Sequence, residues 1–216
     1  MRITALTISR LGVFSALYGV LSLIPISTFI GAPSLLTLNL IVTPTIAIIL
    51  NPFEAFFASL FGGMIAIYLS PFQAIFGPLT ILLPITGSTL GSMAYHMEKK
   101  GTLPATLFLT TAILMYLMKN YLFPYFIIPH LIAILMAIIS SFKVRSPKIA
   151  RIIAHSYITT MCEQGMMMIF AVYLLGLPWF TFIGVLPLMI YERLLGTIGG
   201  TLLALSLTKI GIIPGK

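Results

Sequence analysis

The chain has 216 residues, of which 59% are hydrophobic and 7% are charged, and its mean hydropathy is +1.12. A soluble domain carries roughly 25% charged residues, because its surface must be compatible with water. The composition therefore excludes a soluble globular protein and predicts an all-α, polytopic transmembrane helix bundle. A transmembrane β-barrel is excluded, because runs such as Ile41 to Leu50 lack the alternation of apolar and polar residues that barrel strands need.

The formal net charge is +8, and all four acidic residues are Glu. Lys and Arg lie at the ends of apolar runs and are not interleaved with aromatic residues, so we expect no nucleic-acid partner. A single cysteine, Cys162, excludes a disulfide within the chain, and the three histidines lack the spacing of metal ligands. We predict neither a metal site nor a cofactor.

Cutting the sequence at charges and at Pro, Gly and Asn clusters leaves eight apolar runs, several of them short, which predicts six to eight spans. No linker or soluble segment remains, so residues 1–216 are predicted to form a single membrane domain of a multi-pass cell-membrane protein, in contact with lipid. The runs are Ile3 to Ile24, Leu35 to Leu50, Phe53 to Leu69, Ala74 to Met97, Leu103 to Met118, Leu122 to Phe142, Ile149 to Leu175 and Trp179 to Leu207.

Basic residues predict the orientation, because Lys and Arg near the ends of spans favour the cytoplasmic side. With eight spans, the basic segments all fall on one side and predict that both termini are cytoplasmic. These segments contain Arg2, Arg10, Lys99, Lys100, Lys143, Arg145, Lys148, Arg151, Lys209 and Lys216. The connections on the other side contain Lys119 alone.

Three ionisable residues are predicted at mid-depth, where a charge costs at least about 2.5 kcal/mol unless it is paired or hydrated. Glu163 lies about as far before the turn at Leu177-Pro178 as Glu192 and Arg193 lie after it, so all three should lie at one depth. Two interpretations remain open: a structural ion pair, or the polar wall of a substrate site. In the second, the binding residues are Glu163, Gln164, Tyr173, Trp179, Tyr191, Glu192 and Arg193.

Catalytic motifs are not evident: the sequence has no HExxH, no GxSxG, no Walker loop and no Asp pair for a magnesium ion. We therefore expect no enzyme activity. Small residues carry more information, because Ser9, Gly12, Ala16 and Gly19 recur at intervals of three and four on the first span. Such a stripe permits close approach of another helix, either within the chain or in a partner subunit.

The placement of Gly and Pro resembles the substrate-binding S component of energy-coupling-factor (ECF) vitamin transporters. The resemblance covers Ala5 to about Ala94 and Val185 to Leu207. It rests on Gly31-Ala32-Pro33, Leu50-Asn51-Pro52-Phe53-Glu54-Ala55 leading into Gly62-Gly63, Phe76-Gly77-Pro78 leading into Pro84 and Gly87, Val185-Leu186-Pro187, and Glu192-Arg193-Leu194.

That resemblance implies a six-helix core that binds a vitamin or related micronutrient near the outer face. It also implies docking through the small residues of the first helix onto a membrane coupling subunit, with ATPase subunits in the cytoplasm. Leu103 to Phe142 departs from this pattern as an extra hairpin. The alternative function is a non-catalytic structural subunit of a membrane complex, and a membrane enzyme comes third.

Overall fold

The computed structural model describes residues 4–30, 34–142 and 147–209 and shows an all-α bundle with one small β-hairpin. Each of the eight apolar runs contributes one helix. The helices are α1 (Ala5–Leu21), α2 (Val42–Ile49), α3 (Pro52–Leu69), α4 (Leu82–His96), α5 (Glu98–Asn120), α6 (Ile128–Ser141), α7 (Lys148–Tyr173) and α8 (Thr181–Lys209). Four basic residues used above, and one motif, lie outside the described residues: Arg2, Lys143, Arg145 and Lys216, and Gly31-Ala32-Pro33.

A β-hairpin follows α1, where the sequence analysis predicted no strands. Strand β1 (Pro25–Phe29) pairs antiparallel with β2 (Ser34–Thr37), and Ser27 stands opposite Leu36. The register shifts between Pro25 and Ser27, so the pairing is interrupted after its first residue pair. Strands this short show too few alternating residues to be recognised in a hydropathy pattern.

The predicted second span is therefore shorter than the run Leu35 to Leu50. Its first residues belong to β2, the next four form a 3-10 turn at Leu38–Ile41, and only Val42–Ile49 is α-helical. By contrast, α5 has 23 residues and is longer than the fifth apolar run, Leu103 to Met118, from which it was predicted. Within the described residues, four segments are long and apolar enough to cross a membrane by length and composition: Pro52–Leu69, Lys100–Asn120, Pro124–Ser141 and Thr181–Lys209.

Helix α7 lies at the centre of the bundle and contacts α2, α4, α5, α6 and α8. Its neighbour α4 runs antiparallel to it, since Gly87 meets Glu163 and Gly91 meets Thr159. Helix α8 is also antiparallel to α7, because the Thr201 hydroxyl reaches Ser156 while Thr197 lies beside Thr160. Because other helices surround α7, it tolerates polar residues that a lipid-facing helix would not.

Helices α1 and α3 run parallel, because Ser15 donates a hydrogen bond to the Ala58 carbonyl and the next turns meet at Tyr18 and Gly62. The bundle thus alternates up and down, and one end carries the β-hairpin, residues 70–81, residues 121–127 and residues 174–180. We call it the hairpin end. Most described basic side chains lie at the opposite end, namely Arg10, Lys100, Lys148, Arg151 and Lys209, and Lys119 lies at the hairpin end.

The small residues of α1 divide between two environments. Gly19 is buried, and a Cβ at this position would collide with Ile65 of α3. Ser9, Gly12 and Ala16 are exposed, and no atom of the described residues lies within 4 Å of a Cβ built on Gly12. Gly19 therefore serves packing within the chain, and docking of a partner on the other three stays a prediction.

Close approach of α4 to α7 should make Gly91 intolerant of substitution. A Cβ on Gly91 would lie 2.8 Å from the Thr159 Cβ, so we expect Gly91→Ala to lower the free energy of unfolding by about 1–3 kcal/mol. The measurement is thermal unfolding of the detergent-solubilised protein. The matched control is Gly12→Ala, where the open space predicts no loss of stability and the higher helix propensity of Ala predicts a gain of up to about 1 kcal/mol. Equal effects of the two substitutions would contradict the packing seen here.

Candidate functional site

Three charged side chains meet in the interior of the bundle. Arg193 Nη1 of α8 lies 3.8 Å from Glu163 Oε2 of α7, and Arg193 Nη2 lies 4.0 Å from Glu192 Oε2. All three residues are buried, with exposed fractions of 6% or less. The structure thus brings together the mid-depth residues that the sequence predicted at one level on α7 and α8.

Arg193 is only loosely held by its two carboxylates. The ion-pair distances exceed the 2.7–2.9 Å that is typical of a charge-assisted hydrogen bond. Its other contact is a hydrogen bond of 3.4 Å from Nη1 to the Thr160 carbonyl. Two formal negative charges and one positive charge therefore share a buried volume without close pairing, which leaves the cluster with a formal charge of −1 if all three are ionised.

Several buried polar atoms near this cluster have no hydrogen-bond partner within the described parts of the chain. They include two acceptors, Glu163 Oε2 and Gln164 Oε1, and two donors, Arg193 Nε and Gln73 Nε2. An unsatisfied buried polar group costs about 1–3 kcal/mol. Because these atoms belong to residues that line cavities, a bound molecule is a direct way to satisfy them.

A polar cavity lies beside the cluster, toward the hairpin end. The space between atoms, open mouth included, amounts to about 400 Å³. Its polar lining comes from five different segments of the chain, and Asn39 Nδ2 donates to Gln73 Oε1 across it at 2.8 Å. The lining residues are Tyr18, Leu36, Thr37, Asn39, Leu40, Gln73, Ile75, Thr80, Leu83, Pro84, Glu163, Met167 and Arg193.

An apolar cavity of about 420 Å³, measured in the same way, adjoins the polar one. Leu36 and Met167 line both cavities, so the two share a wall. In the apolar cavity, the polar side chains with the greatest hydrogen-bonding capacity are Gln164 and Glu192. The lining residues are Thr28, Ile30, Leu36, Phe126, Gln164, Met167, Met168, Ala171, Leu177, Phe182, Val185, Leu188, Met189 and Glu192.

The β-hairpin covers both cavities and is tied to the charged cluster. The Ser27 hydroxyl of β1 donates a short hydrogen bond to Glu192 Oε1. On β2, the Thr37 hydroxyl lies within hydrogen-bond distance of Asn39 Oδ1 and Gln73 Oε1, at 2.9 and 3.1 Å. The hairpin therefore contacts α8 through β1 and the connection before α4 through β2.

Four of the seven predicted site residues line these cavities: Glu163, Gln164, Glu192 and Arg193. The other three lie elsewhere, and their part in ligand binding stays a prediction. Tyr173 is 40% exposed and donates to the Met115 carbonyl, and Tyr191 is 54% exposed on the outer side of α8. Trp179 packs against Phe180 in the connection between α7 and α8, outside both linings.

Sequence reasoning missed most of the lining that comes from outside α7 and α8. Tyr18, Asn39 and Gln73 are polar residues in or next to apolar runs, which is the signal that could have singled them out. Phe126 and Phe182, whose rings lie 4.8 Å apart, could not be distinguished from other aromatic residues. Their position depends on contact between α8 and the segment before α6.

A metal site is not evident in the part of the chain that the structure describes, since it contains no group of three or more His, Cys, Asp or Glu that could hold an ion. Comparison of the chain with models of known protein families, with curated proteins and with solved structures finds no match.

Removal of Arg193 should destabilise the protein strongly. In Arg193→Gln, two carboxylates stay buried without a counter-charge, and breaking a buried pair in this way costs about 3–5 kcal/mol. The measurement is thermal unfolding in detergent, with Lys119→Gln as the control because Lys119 is an exposed cation. The triple variant Glu163→Gln, Glu192→Gln, Arg193→Gln should regain much of the loss. An effect of Arg193→Gln no larger than that of the control would contradict the ion-pair geometry.

Proposed function

We propose that the chain is the membrane-embedded substrate-binding subunit of an ECF-type importer for a vitamin or related micronutrient. The observation that carries the proposal is a buried charged cluster that faces two adjoining cavities beneath a hairpin. Small-molecule sites combine apolar walls with a few directional polar groups in this way. The unpartnered atoms of Glu163, Gln164 and Arg193 supply those directional groups.

The packing of the helices supports the comparison with a six-helix core. Helices α1 to α4, α7 and α8 contact one another as a continuous set, with close approaches such as Gly87 to Glu163 and Gly200 to Pro44. Helices α5 and α6 pack on the outside of this set against α4 and α7. The extra hairpin that distinguishes the sequence from the family pattern is therefore an addition beside the core. It contributes Phe126 to the apolar cavity through the segment before α6.

The distribution of charge supports an outward-facing site. Basic residues gather at the end opposite the hairpin, and such residues favour the cytoplasmic side. In this orientation both termini are cytoplasmic, and the cavities open toward the outside of the cell membrane. The chain would capture its substrate there, while ATP hydrolysis would belong to other subunits of the importer.

A non-catalytic structural subunit is the second candidate, and one observation favours it. Arg193 lies within 4.0 Å of both carboxylates, so the cluster can stabilise the fold by its own ion pairs. In that case the exposed small residues of α1 would serve assembly only. The two candidates differ in whether the chain binds a small molecule.

The importer hypothesis predicts that the full chain, purified gently, carries one small molecule that mass spectrometry can identify. Gln164→Leu removes an unpartnered acceptor from the cavity wall while keeping a similar side-chain volume. We expect it to weaken the affinity for that molecule roughly five- to a hundredfold, the equivalent of about 1–3 kcal/mol. Isothermal titration calorimetry measures the affinity, and thermal unfolding checks that the fold is intact.

Trp179→Ala in the same assay tests the sequence prediction for this aromatic residue. Retained affinity would place Trp179 outside the site, and lost affinity would place it in the site although it lines neither of the two cavities. If the purified chain carries no small molecule and its stability depends only on the charged cluster, the structural-subunit hypothesis takes precedence.

Docking of a membrane coupling subunit is expected on the exposed small residues of α1. The double variant Gly12→Leu, Ala16→Leu adds bulk to open space, so we expect unchanged thermal stability and ligand binding but loss of co-purifying subunits. The control is Thr110→Leu, a change to the same apolar side chain on the exposed side of α5. Unchanged co-purification in the double variant would refute docking on α1, and an equal loss in the control would show that the effect is not specific to α1.

A further inference from the structure

We infer that the ligand of the two cavities is an organic cation, in which a positively charged nitrogen group with N–H donors is joined to an apolar, preferably aromatic, body. The inference rests on the proposed function, because it names the substrate class of the same site. Three independent features carry it: the charge of the lining, the kind of polar atoms left unpartnered, and the chemistry of the second cavity.

Charge is the first feature. The charged residues among those that line the two cavities are Glu163, Glu192 and Arg193, so the lining has a formal charge of −1 with all three ionised. Water is largely excluded there, since each of these residues is no more than 6% exposed. Interactions between charges are strongest where water is excluded. A cation would bring the site to neutrality, whereas an anion would add a third negative charge to it.

The unpartnered atoms agree with a ligand that donates hydrogen bonds. Gln164, in the lining of the apolar cavity, has an acceptor, Oε1, without a hydrogen-bond partner in the described chain. Glu163, in the lining of the polar cavity, has an acceptor, Oε2, that makes no hydrogen bond in the described chain and lies 3.8 Å from Arg193 Nη1. An ammonium, amidinium or protonated heteroaromatic nitrogen supplies the N–H groups that such oxygens need. Arg193 Nε and Gln73 Nε2 are donors without a hydrogen-bond partner in the described chain, so they could donate to an acceptor atom on the same ligand.

The apolar cavity fits the body of such a molecule. Three methionines, Met167, Met168 and Met189, line it together with the rings of Phe126 and Phe182. Thioethers and aromatic edges are favourable partners for a flat ring. Because Met167 also lines the polar cavity, a single ligand can place its charged group near Glu163 and its body among these side chains.

Three probes of nearly equal shape test the charge assignment: benzamidine as a cation, benzamide as a neutral molecule and benzoate as an anion. Each is titrated by calorimetry into the full chain in detergent, after any bound molecule has been removed by dialysis. We expect benzamidine to bind at least tenfold more tightly than benzamide, and benzoate to bind most weakly. Tightest binding of benzoate, equal binding of all three, or binding of none overturns the inference.

Substitution of one carboxylate locates the interaction. Glu163→Gln should weaken benzamidine at least tenfold and leave benzamide within about threefold, because only the cation loses an opposite charge. The matched control is Glu54→Gln, a second buried carboxylate that lines neither cavity. Unchanged benzamidine affinity in Glu163→Gln, or an equal loss in Glu54→Gln, overturns the assignment. If Glu163→Gln does not fold, the comparison of the three probes on the unaltered chain decides alone.

The substrate class and the proposed function can fail separately. A neutral or anionic molecule found in the purified protein would overturn the cation inference and leave a substrate-binding subunit in place. Preferential binding of benzamidine, together with no co-purified molecule and no partner subunits, would support the cation site while refuting the importer.

Discussion

Burial of one guanidinium between two carboxylates is the constraint around which this bundle is arranged. Arg193 on α8 joins Glu163 on α7, and Ser27 on β1 reaches Glu192 beside it. Charges so far from water are tolerated only when their neighbours compensate them. Because the ion-pair distances are long and some atoms stay unpartnered, the compensation is incomplete. The same residues therefore contribute to stability and leave binding capacity facing the cavities.

The polar cluster depends on the central position of α7. Its polar residues are shielded because α4 and α8 approach through glycines, with Gly91 against Thr159 and Gly196 against Thr160. Larger side chains at these glycines would separate the helices and admit lipid or water to the charges. Small residues on the neighbours of α7 are thus as necessary to the site as the carboxylates themselves.

The cavities take their lining from segments that are distant in sequence. The polar cavity needs Tyr18 from α1, Asn39 from the 3-10 turn and Gln73 from the connection before α4. The apolar cavity needs Phe126, which lies in the segment between α5 and α6, the two helices that pack on the outside of the other six. A change in any of these connections would alter the shape of the cavities without touching a charged residue.

The sequence alone determined the all-α, membrane-type class of the protein and the apolar runs from which the described helices form, and it predicted six to eight spans and one depth for Glu163, Glu192 and Arg193. The class follows from the composition, and the positions along each helix follow from the fixed rise per residue, so neither depends on how the helices pack. Only the tertiary structure decided that the apolar run Leu35 to Leu50 begins as a strand and not as a helix. It also decided that Tyr173, Trp179 and Tyr191 lie outside the two cavities, and that Gly19 packs against α3 while Gly12 is exposed. These depend on which face of a helix meets which neighbour, and hydropathy that is high all round a helix carries no information about its faces.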